Sequence, residues 1–151
     1  YNIGIVLLAR DQVVALGREQ LINVWVTPQA PDWQHDLRQS NLYLATLLAY
    51  KLVQNWNGRM NLCMAVSDEE MAEKATIFLE MLKKMARLPT ETEIHVINAP
   101  FEEALRKAPG ADLSVFGLSR KSDLAFSQRI MKIVGRSCVF VRDSGEESAL
   151  A

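Results

Sequence analysis

Five short runs of branched apolar residues, separated by stretches of helical period, constrain this chain more than any other feature. Residues 21–27 (LINVWVT), 61–66 (NLCMAV), 93–98 (EIHVIN), 113–118 (LSVFGL) and 138–143 (CVFVRD) read as strands. Residues 40–56, 67–87, 100–108 and 122–135 read as helices. Asn57-Gly58 ends the first helix and Pro89 stops the second. Ser67 and Glu70 have the spacing of a capping box, in which each satisfies the other's orphan amide. Pro100 suits a first helical turn, and Pro109-Gly110 closes the third helix. Strands alternating with helices require right-handed crossovers and a mostly parallel sheet with helices on both faces. The expected class is therefore α/β, doubly wound. Residues 2–9 (NIGIVLLA) form one more strand with no helix after it, expected as an antiparallel strand at a sheet edge. Residues 12–16 have the composition of a further short strand. A single α/β domain is expected over residues 1–143, with a frayed tail at 144–151.

Size and composition limit the function. A chain of 151 residues fits one domain and buries roughly 70% of its unfolded surface, so a core needs neither disulfide nor metal. With 49% apolar and 23% charged residues it is not a disordered chain. Seventeen basic against eighteen acidic residues give a net charge of -1, which excludes a general electrostatic grip on nucleic acid. Two cysteines make no disulfide scaffold. No apolar run approaches the roughly 18 residues of a membrane span. The chain opens on Tyr1, with no basic and apolar leader and no initiating Met, so a piece of a longer protein is expected.

Ligands of open α/β sheets bind beyond the carboxyl ends of the strands, so chemistry is sought there. None of those loops carries a dinucleotide or P-loop glycine pattern. The best phosphate candidate is the turn holding Gly117, Ser119 and Arg120, with Lys121 and Ser122 beyond it; one glycine is a weak signal, and a helix cap at Ser119 or Ser122 flanked by solvated bases is the simpler account. Asp32, His35 and Asp36 share a loop but match no metal-ligand spacing. His95 alternates with apolar residues in a strand, as an exposed or hydrogen-bonded histidine would. Cys63 and Cys138 lie inside apolar runs, where thiols act as small hydrophobes. No catalytic constellation, cofactor or metal is implied, and the chain is not expected to be an enzyme. Arg129, Lys132 and Arg136 line one side of the last helix; a solvated stripe is the default, and anionic lipid the alternative.

The first helix is apolar on two sides. Leu42, Ala45, Leu48, Ala49, Leu52, Val53 and Trp56 share one face, expected against the sheet. Tyr43, Leu47 and Tyr50 lie opposite and are expected to form an interface with an outside partner.

Several segments in order resemble the C-terminal cytosolic domain of the cation-chloride cotransporter family. They are residues 2–8 (NIGIVLL), 22–26 (INVWV), 40–52 (SNLYLATLLAYKL) with Trp56 and NLCMAV, 101–118 (FEEALRKAPGADLSVFGL) and 130–145 (IMKIVGRSCVFVRDSG). The match is to the second half of that domain. The chain is shorter than eukaryotic members between its third and last helices and lacks their closing Tyr-Ser, which points to a prokaryotic member. The same half is similar in fold to universal stress proteins, which implies the strand order 3-2-1-4-5 counted from residues 21–27, plus the extra N-terminal edge strand. ATP-binding stress proteins carry Gly-x2-Gly-x9-Gly-[Ser/Thr] after the fourth strand. Here Gly117 fits the first position, but Arg120, Ile130 and Met131 occupy the others. The resemblance thus implies a regulatory and dimerisation module of a sodium/potassium/chloride-type symporter, on the cytoplasmic side of the cell membrane, itself soluble. Its partners would be the first half of the cytosolic domain, the membrane domain and a second copy. The rival readings are a free-standing nucleotide-binding protein of the universal stress type and a small enzyme.

Overall fold

A strand apolar on both sides is stable only between two layers, and the chain builds that arrangement. The computed structural model describes residues 3–28, 32–33, 41–118 and 124–144. Its elements in chain order are β1 (Ile5–Ala9), β2 (Leu21–Trp25), α1 (Leu42–Trp56), β3 (Arg59–Val66), α2 (Glu69–Met85), β4 (Glu93–Asn98), α3 (Phe101–Lys107), β5 (Leu113–Gly117), α4 (Leu124–Val134) and β6 (Ser137–Arg142). One six-stranded sheet has the order β1-β6-β5-β2-β3-β4. β2 to β6 pair in parallel, and β1 joins β6 antiparallel. Residues 12–16 form no strand; the segment turns, with one isolated bridge from Asp11 to Ala15. Most of the expected tail, from residue 145 on, lies outside the described residues.

The two faces bury separate clusters. One holds Ile22, Val24, Leu62, Met64, Val115 and Val139 under α1 and α2. On the other, Trp25, Cys63, Phe116, Cys138 and Phe140 meet α3 and α4. Register aligns Trp25, Phe116 and Phe140 on three neighbouring strands, and the rings stack at 6.2 and 5.4 Å. Two residues back, the same register aligns Asn61, Asn23 and Ser114, all buried. Asn61 Nδ2 donates to Asn23 Oδ1 at 3.0 Å, and Asn23 Nδ2 donates to the Pro109 carbonyl at 2.8 Å. Buried amides are tolerated where they satisfy one another, and this pair also ties the α3–β5 turn to the sheet.

α1 differs from its expected orientation. Leu42, Tyr43, Ala45, Thr46, Ala49 and Val53 are its buried residues, and Tyr43 is 0% exposed. At about 100° per residue this face is rotated by roughly 50° from the expected one. Tyr43 therefore belongs to the chain's own core and not to an outer interface. Tyr50 packs on the rim of that core and Leu47 is half-buried. The reason is Thr46, whose hydroxyl donates to the Leu42 carbonyl at 2.7 Å. Satisfied within its own helix, that hydroxyl can be buried like an apolar group, so a polar residue turns inward with its neighbours. Leu48 and Leu52 shift to the flank, half-buried.

The start of α2 also differs. Asp68, not Ser67, is the cap: its backbone is extended and its Oδ1 accepts from the Met71 amide at 2.8 Å. Ser67 Oγ donates to Asp68 Oδ2 at 3.3 Å, and Glu70 pairs with Lys74 at 2.6 Å. A carboxylate is the stronger acceptor at the positive end of a helix dipole. On the outer side of α2, Ile77, Met81 and Met85 stay exposed one turn apart.

Asp112 organises the entry to β2. Its carboxylate accepts from the amides of Arg18 (2.9 Å), Gln20 (3.0 Å) and Leu21 (3.0 Å). Gly17 makes room for it: φ is +59°, and an added Cβ would lie 2.3 Å from Asp112 Oδ1. Burial pushes the Asp112 carboxyl up, but the three amides and the Arg136 charge hold it below its ordinary value. A carboxylate depressed in the folded state stabilises above its unfolded pKa of about 3.9, and that contribution is lost as pH falls through the lower, folded value. Stability should therefore fall on acidification below about pH 4, and Asp112→Asn should reduce that slope. Asp112→Ala should cost about 1–3 kcal/mol at pH 7, because three amides lose their acceptor. Chemical denaturation of the variants across pH measures both, and an Asp112→Asn profile parallel to wild type would refute the assignment.

Candidate functional site

In an open sheet the crevice lies where successive connections leave in opposite directions. Here that point is between β2, whose chain continues towards β3, and β5, whose chain continues to β6. The side chain of Asn41, just before α1, lies beside it, over the carboxyl ends of β5 and β6. Asn41 Nδ2 donates to the Leu118 carbonyl, and Asn41 Oδ1 accepts from the Asp143 amide at 3.0 Å. One amide thus ties together the carboxyl ends of β5 and β6. Gly117 lies directly beneath: a Cβ there would come within 3.0 Å of the Asn41 Cβ. The glycine that fits the first position of a phosphate motif therefore accommodates a side chain of the same chain. Ser119 and Arg120, the other two phosphate candidates, lie outside the described residues, as do His35 and Asp36.

ATP, ADP and AMP are accordingly expected to give no binding heat in calorimetry with the purified chain. Saturable micromolar binding would overturn the reading of Asn41 as a plug.

The remaining candidates are buried or paired within the fold. Cys63 and Cys138 are free and buried, and burial pushes each thiol up to about 12, far from a reactive thiolate. His95 is half-buried with Nε2 3.3 Å from Glu93 Oε2 on the same strand. The basic stripe of α4 is partly answered within the fold. Arg129 pairs with Glu102 of α3 at 3.0 Å, and the Arg136 charge lies close enough to Asp11 and Asp112 to lower both carboxyls. Asp11 is held down chiefly by hydrogen bonds from the amides of Val14 and Val13. A cavity of about 280 Å³ opens at the opposite end of the sheet, over Asn23, Ser114 and Arg136. Asn23 on its floor already has partners, so no orphaned amide there marks a ligand site. Among the described residues no group of three or more His, Cys, Asp and Glu side chains could hold a metal, and no helix is long and apolar enough to cross a membrane.

β1 is the antiparallel edge strand the sequence leads one to expect, but sequence reasoning missed how bare it is. It is exposed along almost its whole length, with Ile5 at 39%, Val6 at 54%, Leu7 at 37% and Leu8 at 51%. The available signal was its composition, which is that of an interior strand placed where no following helix can cover it.

The sequence model described as "Prokaryotic cation-chloride cotransporter, C-terminal domain, 2nd" matches residues 17–150. Among solved structures, the chain is similar to one described as the crystal structure of the cytoplasmic domain of a prokaryotic cation chloride cotransporter. The identity is 33% and the TM-score 0.89, over 99% of this chain and 56% of that one. No curated protein sequence matches. The chain thus spans little more than half the length of that structural relative.

Proposed function

The chain belongs to the prokaryotic cation-chloride cotransporter family, within the second part of its C-terminal domain, and from that premise we propose that it is a regulatory and dimerisation module of a sodium/potassium/chloride-type symporter. It works on the cytoplasmic side of the membrane and neither moves ions nor catalyses a reaction itself. The observation that carries this reading is the family match over residues 17–150, supported by a relative whose backbone superposes at a TM-score of 0.89. Asn41, seated against Gly117 at the carboxyl ends of β5 and β6, favours it over a nucleotide-binding protein of the universal stress type. Its partners are the first half of the cytosolic domain, the membrane domain and a second copy of the transporter. The exposed stripe of Ile77, Met81 and Met85 suits the last of these, because a helix with one apolar outer face packs well against its own symmetry mate.

The test is made on the complete transporter in proteoliposomes. Removing this module should leave the membrane part inserted but change rubidium uptake dependent on sodium and chloride, and weaken dimerisation. Met81→Glu should weaken the dimer alone. Uptake and dimerisation both unaffected by the deletion would refute the proposal.

A further inference from the structure

We infer that β1 is a strand shared with the preceding half of the same cytosolic domain, whose layers clasp both of its faces and whose sheet continues from its free edge. This rests on the family reading above and goes beyond it by naming the surface.

The register shows what is uncovered. Val6 pairs with Val141 and Leu8 with Val139, while Leu7 pairs with Phe140 and Ala9 with Cys138. Paired residues share a face. Val6 and Leu8 therefore extend the cluster beneath α1, and Leu7 extends the aromatic row beneath α3 and α4. α1 and α4 both reach β6, where Val139, Phe140 and Val141 are buried. One strand further out the cover ends on both faces at once. Ile3, at 66% exposed, lengthens the bare strip. Edge strands are normally blunted by charge, proline or a bulge, and residues 3–9 contain neither charge nor proline.

The occupant follows from two further observations. The family match begins at residue 17, beyond β1, and describes only the second part of the C-terminal domain. The structural relative matches this chain almost completely, yet a little under half of its own length lies outside the match. A second half of comparable size is therefore available to cover β1. A second copy fits less well. Two β1 strands paired about a two-fold axis would set two bare strands side by side and leave their faces without helices. A preceding α/β half brings helices for both faces and a strand for the edge.

Hydrogen exchange decides it, read on the β1 peptide in the 151-residue chain and in the complete cytosolic domain. About half of the β1 amides point away from β6. In the complete domain their exchange should slow by about a factor of ten or more, independently of protein concentration. Val6→Glu and Leu7→Glu, one on each face, should each reverse that protection while the 151-residue chain melts as wild type. Equal exchange in the two proteins overturns the inference. Protection that grows with concentration in the 151-residue chain also overturns it, in favour of a second copy. A parent reading frame with no preceding cytosolic half would remove the family reading as well, whereas equal exchange in a protein that has one removes only the role given to β1.

Discussion

Replacing Tyr43 by alanine should cost about 3–5 kcal/mol of folding stability, the range for removing a fully buried aromatic side chain. Tyr43 is among the largest completely buried side chains of the chain, in a helix that rests on β2, β3, β5 and β6. Its loss would leave a cavity in the larger core cluster. A change of this size lowers the melting temperature by about 10 °C or more in a domain of this length. Leu47→Ala, one turn further along and half-buried, should cost less than about 1.5 kcal/mol, and Leu48→Ala should fall between the two. Equilibrium denaturation of the three variants gives the order directly. If Tyr43→Ala melts with the wild type while Leu48→Ala is severe, then α1 faces the sheet as its helical wheel alone implies and Tyr43 is free for a partner.

The second large effect is expected in the polar row beneath α3 and α4. Asn23→Ala removes the acceptor of Asn61 and the donor to the Pro109 carbonyl, in a place where water has little access. Leaving buried polar groups without partners costs about 1–3 kcal/mol, and the truncated volume adds to it, so a loss of about 2–4 kcal/mol is expected. The two asparagines form one network, so their effects should not add. In a double-mutant cycle, Asn61→Ala made on top of Asn23→Ala should cost at least about 0.5 kcal/mol less than it does alone. Strict additivity would show that the Asn23–Asn61 hydrogen bond contributes nothing. Asn23→Ala should also loosen the turn at Pro109, which hydrogen exchange at residues 108–112 would detect.

The alternation of strands and helices was legible from periodicity, because a strand buried on two faces is apolar at most positions and a helix on one face at every third or fourth. Asn57 ends α1 in the left-handed conformation that its place before Gly58 implies. The family, too, was legible, from ordered segments none of which is specific alone. Thr46 was not: its type says polar, and only the carbonyl at Leu42 makes it a core residue. Nor was the choice of Asp68 over Ser67 as cap, since both have the right chemistry and only the backbone at each position decides between them. The role of Gly117 depends on Asn41, which lies 76 positions earlier and meets it only because β2 and β5 are neighbours. Similarly, β1 reads as a strand from its residues, but its exposure is a property of the sheet, which places it one strand beyond the reach of α1 and α4. Local sequence thus determined which segments are strands and helices, because period and capping act within a few residues. Tertiary structure decided which side of each is buried and which surface is left bare, because both depend on contacts between residues far apart in the chain.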